Sequence, residues 1–140
     1  MTEGTRAGDA SLTVVLTQAL DEVSRAVEQI TAGEGLSLEQ WLVVRCLAVH
    51  GDRAMRDLVA DTRLNDSTLT RVVDRLAALG LVYREADPTD RRRVRVTASA
   101  RGRALHERIA PAVAEAEREL LDDPGVLSSL ARLAYPHAEA

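Results

Sequence analysis

The chain has no phenylalanine and no lysine, one cysteine, and among its 140 residues one tryptophan and two tyrosines. Each shortage excludes something. With aromatics at 2%, a core must be filled by Leu, Val and Ala. That favours helices over a β-sandwich, because strands draw on aromatic and β-branched side chains. The single cysteine, Cys46, cannot form an intrachain disulfide. No run of about 18 apolar residues is present, so no membrane-spanning helix is expected. Thr2 to Asp9 are polar and lack the basic-then-apolar order of a secretory signal. Together these shortages point to the cytoplasm. The absence of lysine makes all 18 basic residues arginine, a bias that carries no mechanism by itself.

What remains is the composition of one soluble globular domain, 46% apolar and 29% charged. The net charge of −4 has the wrong sign for a nucleic-acid binder until it is divided along the chain. From Arg53 to Arg108 there are 13 arginines against 8 acids, a charge of +5, while the remainder holds 5 arginines against 14 acids, a charge of −9. A basic middle between acidic flanks localises an electrostatic footprint better than total charge does.

Residues 1–9, rich in Gly, Thr and charge, read as a disordered tail. From Ser11 to about Thr31 the spacing predicts a helix whose apolar stripe is Leu12, Val15, Leu16, Ala19, Leu20, Val23, Val27 and Ile30. Gly33-Glu34-Gly35 breaks it. Ser37 with Gln40 three residues on has capping-box spacing, and the second helix, Leu38 to about His50, is apolar nearly all round. A third helix, about Met55 to Thr62, should turn Leu58, Val59 and Ala60 inward. After the central stretch described next, a long helix is expected from Thr97 to about Leu121, with Leu105, Ile109, Val113, Ala116 and Leu120 in one stripe. Pro111 should kink or break it. A last short helix runs from Val126 to about Tyr135. The first and last helices carry stripes that one copy has little to cover, so a second copy, in a symmetric dimer, is expected to cover them.

The chain is organised around Asn65 to Arg95. Asn65 can cap a helix whose inner face is Leu69, Val72, Val73, Leu76 and Leu79. Its other face offers Ser67, Thr68, Thr70, Arg71 and Arg75. Gly80 stops the helix, and Leu81–Arg84 and Val94–Thr97 read as two strands around the turn Asp87-Pro88-Thr89-Asp90. Two short helices joined so tightly form a helix-turn-helix, and the hairpin adds a wing tipped by Arg91, Arg92 and Arg93. Arginine on a narrow ribbon suits a minor groove. Hydroxyls and guanidinium groups near a helix start suit phosphates and base edges. Arg75 could instead pair with Asp74 or Glu85. The expected fold is mainly α, one winged-helix domain over residues 10–140, with a DNA-binding lobe at 36–100 and dimerisation helices at 10–32 and 101–137.

Leu58-Val59-Ala60, the run Ser67 to Leu76, Gly80-Leu81-Val82, the hairpin Asp87 to Thr97 and the following Gly102 resemble the MarR (multiple-antibiotic-resistance regulator) family. The resemblance implies a homodimeric transcriptional regulator, a repressor, with the Asn65 helix in the major groove. It implies that Arg92 reaches the minor groove and that Asp90 braces the wing. It also implies a small aromatic or phenolic ligand between the lobe and the dimerisation helices, lined by Leu16, Trp41 and Arg45; a structure with no cavity at Trp41 would remove small-molecule sensing from the expectations for this protein.

Other chemistry is poorly served. Asp87 and Asp90 are a carboxylate pair on a hairpin tip open to water, where no pocket could tune them. His50, His106 and His137 have no paired ligand spacing, so no metal is expected, and no phosphate loop or other cofactor motif is present. Cys46, among Val43, Val44 and Leu47, reads as a small buried hydrophobe. The rival to a DNA reader is a winged helix that binds an acidic protein through Arg91–Arg93.

Overall fold

The computed structural model describes residues 11–138; the tail expected over residues 1–9 lies outside them. Helix α1 (Leu12–Thr31) starts at Ser11, whose hydroxyl accepts from the Val14 N–H. It ends in a short 3-10 turn at Ala32–Glu34. Helix α2 (Leu38–His50) begins with the full capping box: Ser37 Oγ accepts from Gln40 N–H at 3.2 Å and Gln40 Oε1 from Ser37 N–H at 3.0 Å. Five of its residues are buried, so α2 runs through the core as its all-round apolar sequence requires.

Strand β1 (Arg53–Ala54) was not legible in the sequence, and it makes the expected two-stranded ribbon a three-stranded sheet. Helix α3 (Met55–Thr62) buries Leu58 completely, leaves Val59 half-buried and exposes Ala60. The inward expectation for Ala60 is therefore corrected: successive helical residues point about 100° apart, so a three-residue run cannot share one face. Arg63, Leu64 and Asn65 link α3 to α4 (Asp66–Ala78). Arg63 has φ 62°, the left-handed conformation that ends α3, in the turn of the helix-turn-helix.

Helix α4 closes on Gly80, at φ 73°. Its N–H reaches the Ala77 carbonyl at 3.0 Å, and the Leu81 N–H reaches that of Leu76 at 2.9 Å. This crossed pair is a Schellman motif, and it keeps Leu81 out of the strand the sequence assigned to it. Strand β2 is Val82–Ala86 and β3 is Val94–Ala98, antiparallel with Val82 opposite Ala98 and Ala86 opposite Val94. The sheet order is β1-β3-β2.

Ser99 then turns the chain. It accepts from Gly102 N–H at 3.0 Å to cap α5 (Ala100–Leu120) and donates to the Gly80 carbonyl at 2.7 Å. The long helix thus starts later than expected because Thr97 and Ala98 remain paired to β2. It runs unbroken through the exposed Pro111, so the break expected there does not occur. Helix α6 is Gly125–Ala134. One continuous apolar cluster joins Val27, Trp41, Leu58, Leu69, Val96 and Ile109, so lobe and long helices share a core. The outer ends do not join it. Leu12, Leu20, Leu127 and Leu133 are each more than half exposed.

At Gly102 helix α5 packs directly on the end of the reading lobe: a methyl group there would overlap the Leu81 carbonyl oxygen. Gly102→Ala should therefore lower stability by about 1–3 kcal/mol, the usual cost of overpacking, despite alanine's better helix propensity. Gly33→Ala, with nothing within 4 Å, should be neutral or stabilising by up to about 1 kcal/mol. Urea unfolding of both variants checks the pair; equal effects would show that the close approach does not matter.

Candidate nucleic-acid interface

Helix α4 is fixed from one side only. Leu69, Val73 and Leu76 are fully buried and Val72 nearly so, against α2, α3 and β2. Ser67, Arg71, Asp74 and Ala78, at helical three- and four-residue spacing, are exposed on the opposite face. The N-cap is detailed: Asn65 Oδ1 accepts from Thr68 N–H at 2.8 Å and from the Ser67 hydroxyl at 3.0 Å. Thr70 donates its hydroxyl to the Asp66 carbonyl at 2.9 Å. The Ser67 and Thr70 oxygens therefore present lone pairs outward while their protons are held inside the helix. Thr68 is half-buried in a shallow cleft shared with Glu39, Gln40 and Arg71, which places it at the rim.

Arg75 is exposed but faces away from the centre of that surface, into a groove shared with α5. It does not pair with Asp74 or Glu85. Asp74 is instead held by Arg84 of β2, an ion pair that ties the reading helix to the wing. Neighbouring side chains on a helix diverge, which turns Asp74 toward the strand and Arg75 away from it.

The wing tip is built by two aspartates with different tasks. Asp90 accepts from the Arg92 backbone N–H at 3.0 Å, and its carboxylate lies 3.4 Å from Arg92 Nε and 3.6 Å from Arg93 Nε. The Arg92 side chain is 94% exposed, and Arg91 and Arg93 are exposed beside it. Asp87 is not open to water as the sequence implied. It is 9% exposed, with Oδ1 accepting from Thr89 N–H at 2.8 Å and from the Thr89 hydroxyl at 2.7 Å. The Asx-turn folds the carboxylate under the loop.

Arg95 of β3 secures this base. Its Nε donates to Asp52 at 2.8 Å, and Nη1 lies 3.7 Å from Asp87. This clasp is not legible in the sequence, because Asp52 and Arg95 are 43 residues apart and only sheet pairing brings them together. The Thr89 hydroxyl, with the Thr89 and Asp90 N–H groups and Arg95, holds the Asp87 carboxyl below the usual range. The Arg95 hydrogen bond does the same for Asp52.

Of the residues expected to line a ligand site, Trp41 and Arg45 stand one turn apart on α2 and Leu16 lies on α1. Trp41 is 3% exposed, and its ring stacks on His106 with centroids 5.3 Å apart and planes 13° from parallel. Burial, helped by Arg45, lowers the His106 pKa. Arg45 also lines a cavity with Cys46, His50 and Tyr135, and Leu16 is half-buried. Cys46 is buried 3.6 Å from Asp61; burial first and that carboxylate second push its thiol up to about 11, so it stays protonated near neutral pH. Among the described residues no group of three His, Cys, Asp or Glu side chains could hold a metal ion, and no helix is long and apolar enough to cross a membrane.

A buried helix-turn-helix with one polar face outward, followed by a clasped arginine-tipped hairpin, defines a winged helix-turn-helix DNA-binding protein. The chain belongs to the MarR family, whose model matches residues 34–93. It is 30% identical over 111 residues to the HTH-type transcriptional regulator FarR of Neisseria gonorrhoeae, covering 79% of this chain and 76% of that one. The homoprotocatechuate degradative operon repressor of Escherichia coli is 29% identical over 110 residues, with 79% and 74% covered. The crystal structure of NadR in complex with 4-hydroxyphenylacetate superposes with a TM-score of 0.78 at 30% identity, covering 96% of this chain and 99% of that one. Membership makes this chain a transcriptional regulator and not an enzyme, and it favours DNA over an acidic protein as the wing's partner.

The clasp has a pH signature. A carboxyl whose folded pKa is depressed adds stability above its unfolded value, near 3.9 for Asp, and loses it as pH falls through the folded value. Asp52→Asn should therefore melt below the wild type at neutral pH, with the gap closing as pH drops below about 4. Thermal melts across that range check this; a gap independent of pH would place the Asp52 contribution elsewhere than its charge.

Proposed function

We propose that this chain is a cytoplasmic homodimeric repressor that reads a pseudo-palindromic operator and is released by a small aromatic acid. The observation that carries the reading is the pairing of a polar, outward α4 face with a 94% exposed Arg92 on a clasped wing. In this reading α4 enters the major groove. Arg71 is its strongest base or phosphate donor, and Ser67 and Thr70 act as acceptors through their outward lone pairs. Thr68 touches the backbone from the rim, and Arg92, oriented by Asp90, enters the minor groove between Arg91 and Arg93. Residues 36–100 form the reading lobe, and the apolar residues of 10–32 and 101–137 that are left exposed, Leu12, Leu20, Leu127 and Leu133 among them, meet those of a second copy. Two readers related by a two-fold axis would address major grooves about 34–36 Å apart.

Repression is the role carried by the name of the E. coli relative, and an aromatic acid is what NadR holds in its crystal. Both features are proposed here by kinship. A cytoplasmic setting accords with a DNA target.

Arg92→Ala should weaken binding to specific and random duplexes alike and lower the salt slope by about one per wing. Arg71→Ala should cost about 1–3 kcal/mol if it meets a base, selectively for that position. Gel shifts over a salt series with the DNA flanking the gene check both. Unchanged affinity in the two variants would remove α4 and the wing from the interface.

A further inference from the structure

Two hydroxyls on the outward face of α4 have their protons committed inside the helix. Ser67 Oγ lies 3.0 Å from Asn65 Oδ1, and Thr70 Oγ1 lies 2.9 Å from the Asp66 carbonyl oxygen. Carbonyl and amide oxygens only accept, so in each contact the hydroxyl is the donor. For Asn65, a third group settles which amide atom is the oxygen. The Thr68 backbone N–H, which can only donate, reaches the same atom at 2.8 Å. Ser67 and Thr70 are both exposed and stand three residues apart, so their oxygens face outward side by side with lone pairs and no free proton. That polarity excludes one partner and selects another. A backbone phosphate offers only acceptor oxygens, so neither hydroxyl can bond it without first losing an internal hydrogen bond, a cost of about two- to twelvefold in affinity. In the major groove guanine offers N7 and O6 and thymine offers O4, all acceptors. Only the exocyclic amines, on C6 of adenine and C4 of cytosine, donate.

We propose that Ser67 and Thr70 determine specificity by selecting adenine or cytosine through its exocyclic amine, and that Asn65, without touching DNA, fixes this preference at Ser67 by holding its proton. The inference deepens the DNA reading above and rests on it. Arg71, one turn from Ser67 and able only to donate, has the opposite requirement and takes the acceptor edge of a guanine. The reading face thus carries both polarities, set by bonds within the helix and its cap before any duplex arrives. Presetting sharpens discrimination. A hydroxyl free to turn would accept from an amine or donate to a carbonyl, and would tolerate every base. Asn65 is therefore a positioning residue whose effect is on base preference and not only on the stability of α4.

The test is selection from a randomised duplex library by the full chain, as wild type and as Ser67→Ala, Thr70→Val, Asn65→Gly and Asn65→Asp. Positions that lose their preference in Ser67→Ala and in Thr70→Val mark the bases opposite the two hydroxyls. In the wild type both should be adenine or cytosine on the strand read, favoured over guanine and thymine by about threefold or more. Replacing that adenine by unsubstituted purine, or that cytosine by 2-pyrimidinone, removes the amine alone and should cost a similar factor. These amine-free bases decide the matter without any protein variant. Asn65→Gly frees the Ser67 proton at little cost to the cap. It should flatten the preference at the Ser67 position and leave the Thr70 position unchanged, because the Asp66 carbonyl still holds that proton. Asn65→Asp, whose carboxylate accepts from both groups, should weaken all duplexes through its added negative charge and keep the wild-type preferences. No position answering to either hydroxyl, guanine or thymine at such a position, or tolerance of the amine-free bases would overturn the assignment and leave the DNA reading standing. An Asn65→Gly chain that keeps the wild-type preference at the Ser67 position would overturn the role of Asn65. A wild type that enriches no duplex would sink the DNA reading and this inference with it.

Discussion

Burial of one stripe on α4 is the constraint from which the rest of the structure follows. Leu69, Val73 and Leu76 are wholly removed from solvent, each worth roughly 1.5–3 kcal/mol relative to exposure. Because α2 is apolar nearly all round, it can receive that stripe while also packing against α3, α5 and β3. Once the stripe is seated, the polar face of α4 has only one direction in which to point. Asn65 and Gly80 bound the helix at both ends, and the Arg84–Asp74 pair adds a tie to the sheet. Such an exposed pair contributes little energy in water; its effect is on orientation.

The corner at Gly80, Leu81, Ser99 and Gly102 carries that orientation into the frame. Four hydrogen-bonded or close-packed backbone groups meet there, and α5 leaves from it to lie along α1. A shift of α5 is thereby a shift of α4. The lower half of the frame is sealed into the core by Val27, Leu105, Ile109 and Val113, whereas Leu12, Leu20, Leu127 and Leu133 at its outer end are left in water. Exposed leucines on α1 and α6 offer apolar surface that a second copy could cover.

Local signals were legible and long-range ones were not. Ser37 with Gln40, Asn65 before its apolar period, and Gly80 after it are rules of one helical turn, and each end was placed within a residue or two. The hairpin was legible from Asp87-Pro88 and its β-branched flanks. β1 escaped because two residues carry no period. The Arg95–Asp52 clasp and the Trp41–His106 stack escaped because a side chain's type does not name a distant partner. For the site, the exposed set Ser67, Thr70, Arg71 and Arg91 to Arg93 follows from helical and hairpin geometry alone. Arg75 fits the polar face by its spacing, and in the fold its side chain also lines the groove beside α5. Asp87 was misjudged because a turn residue reads as exposed until the turn folds over it.

The central claim is that two copies of this chain present two α4 helices to one duplex. The direct measurement is hydroxyl-radical footprinting of the operator combined with the stoichiometry of the complex by analytical ultracentrifugation. Two chains per duplex, with protected half-sites centred about 34–36 Å apart and a two-fold pattern of protection, is the predicted result. One chain per duplex, or a single protected segment without symmetry, would contradict the account.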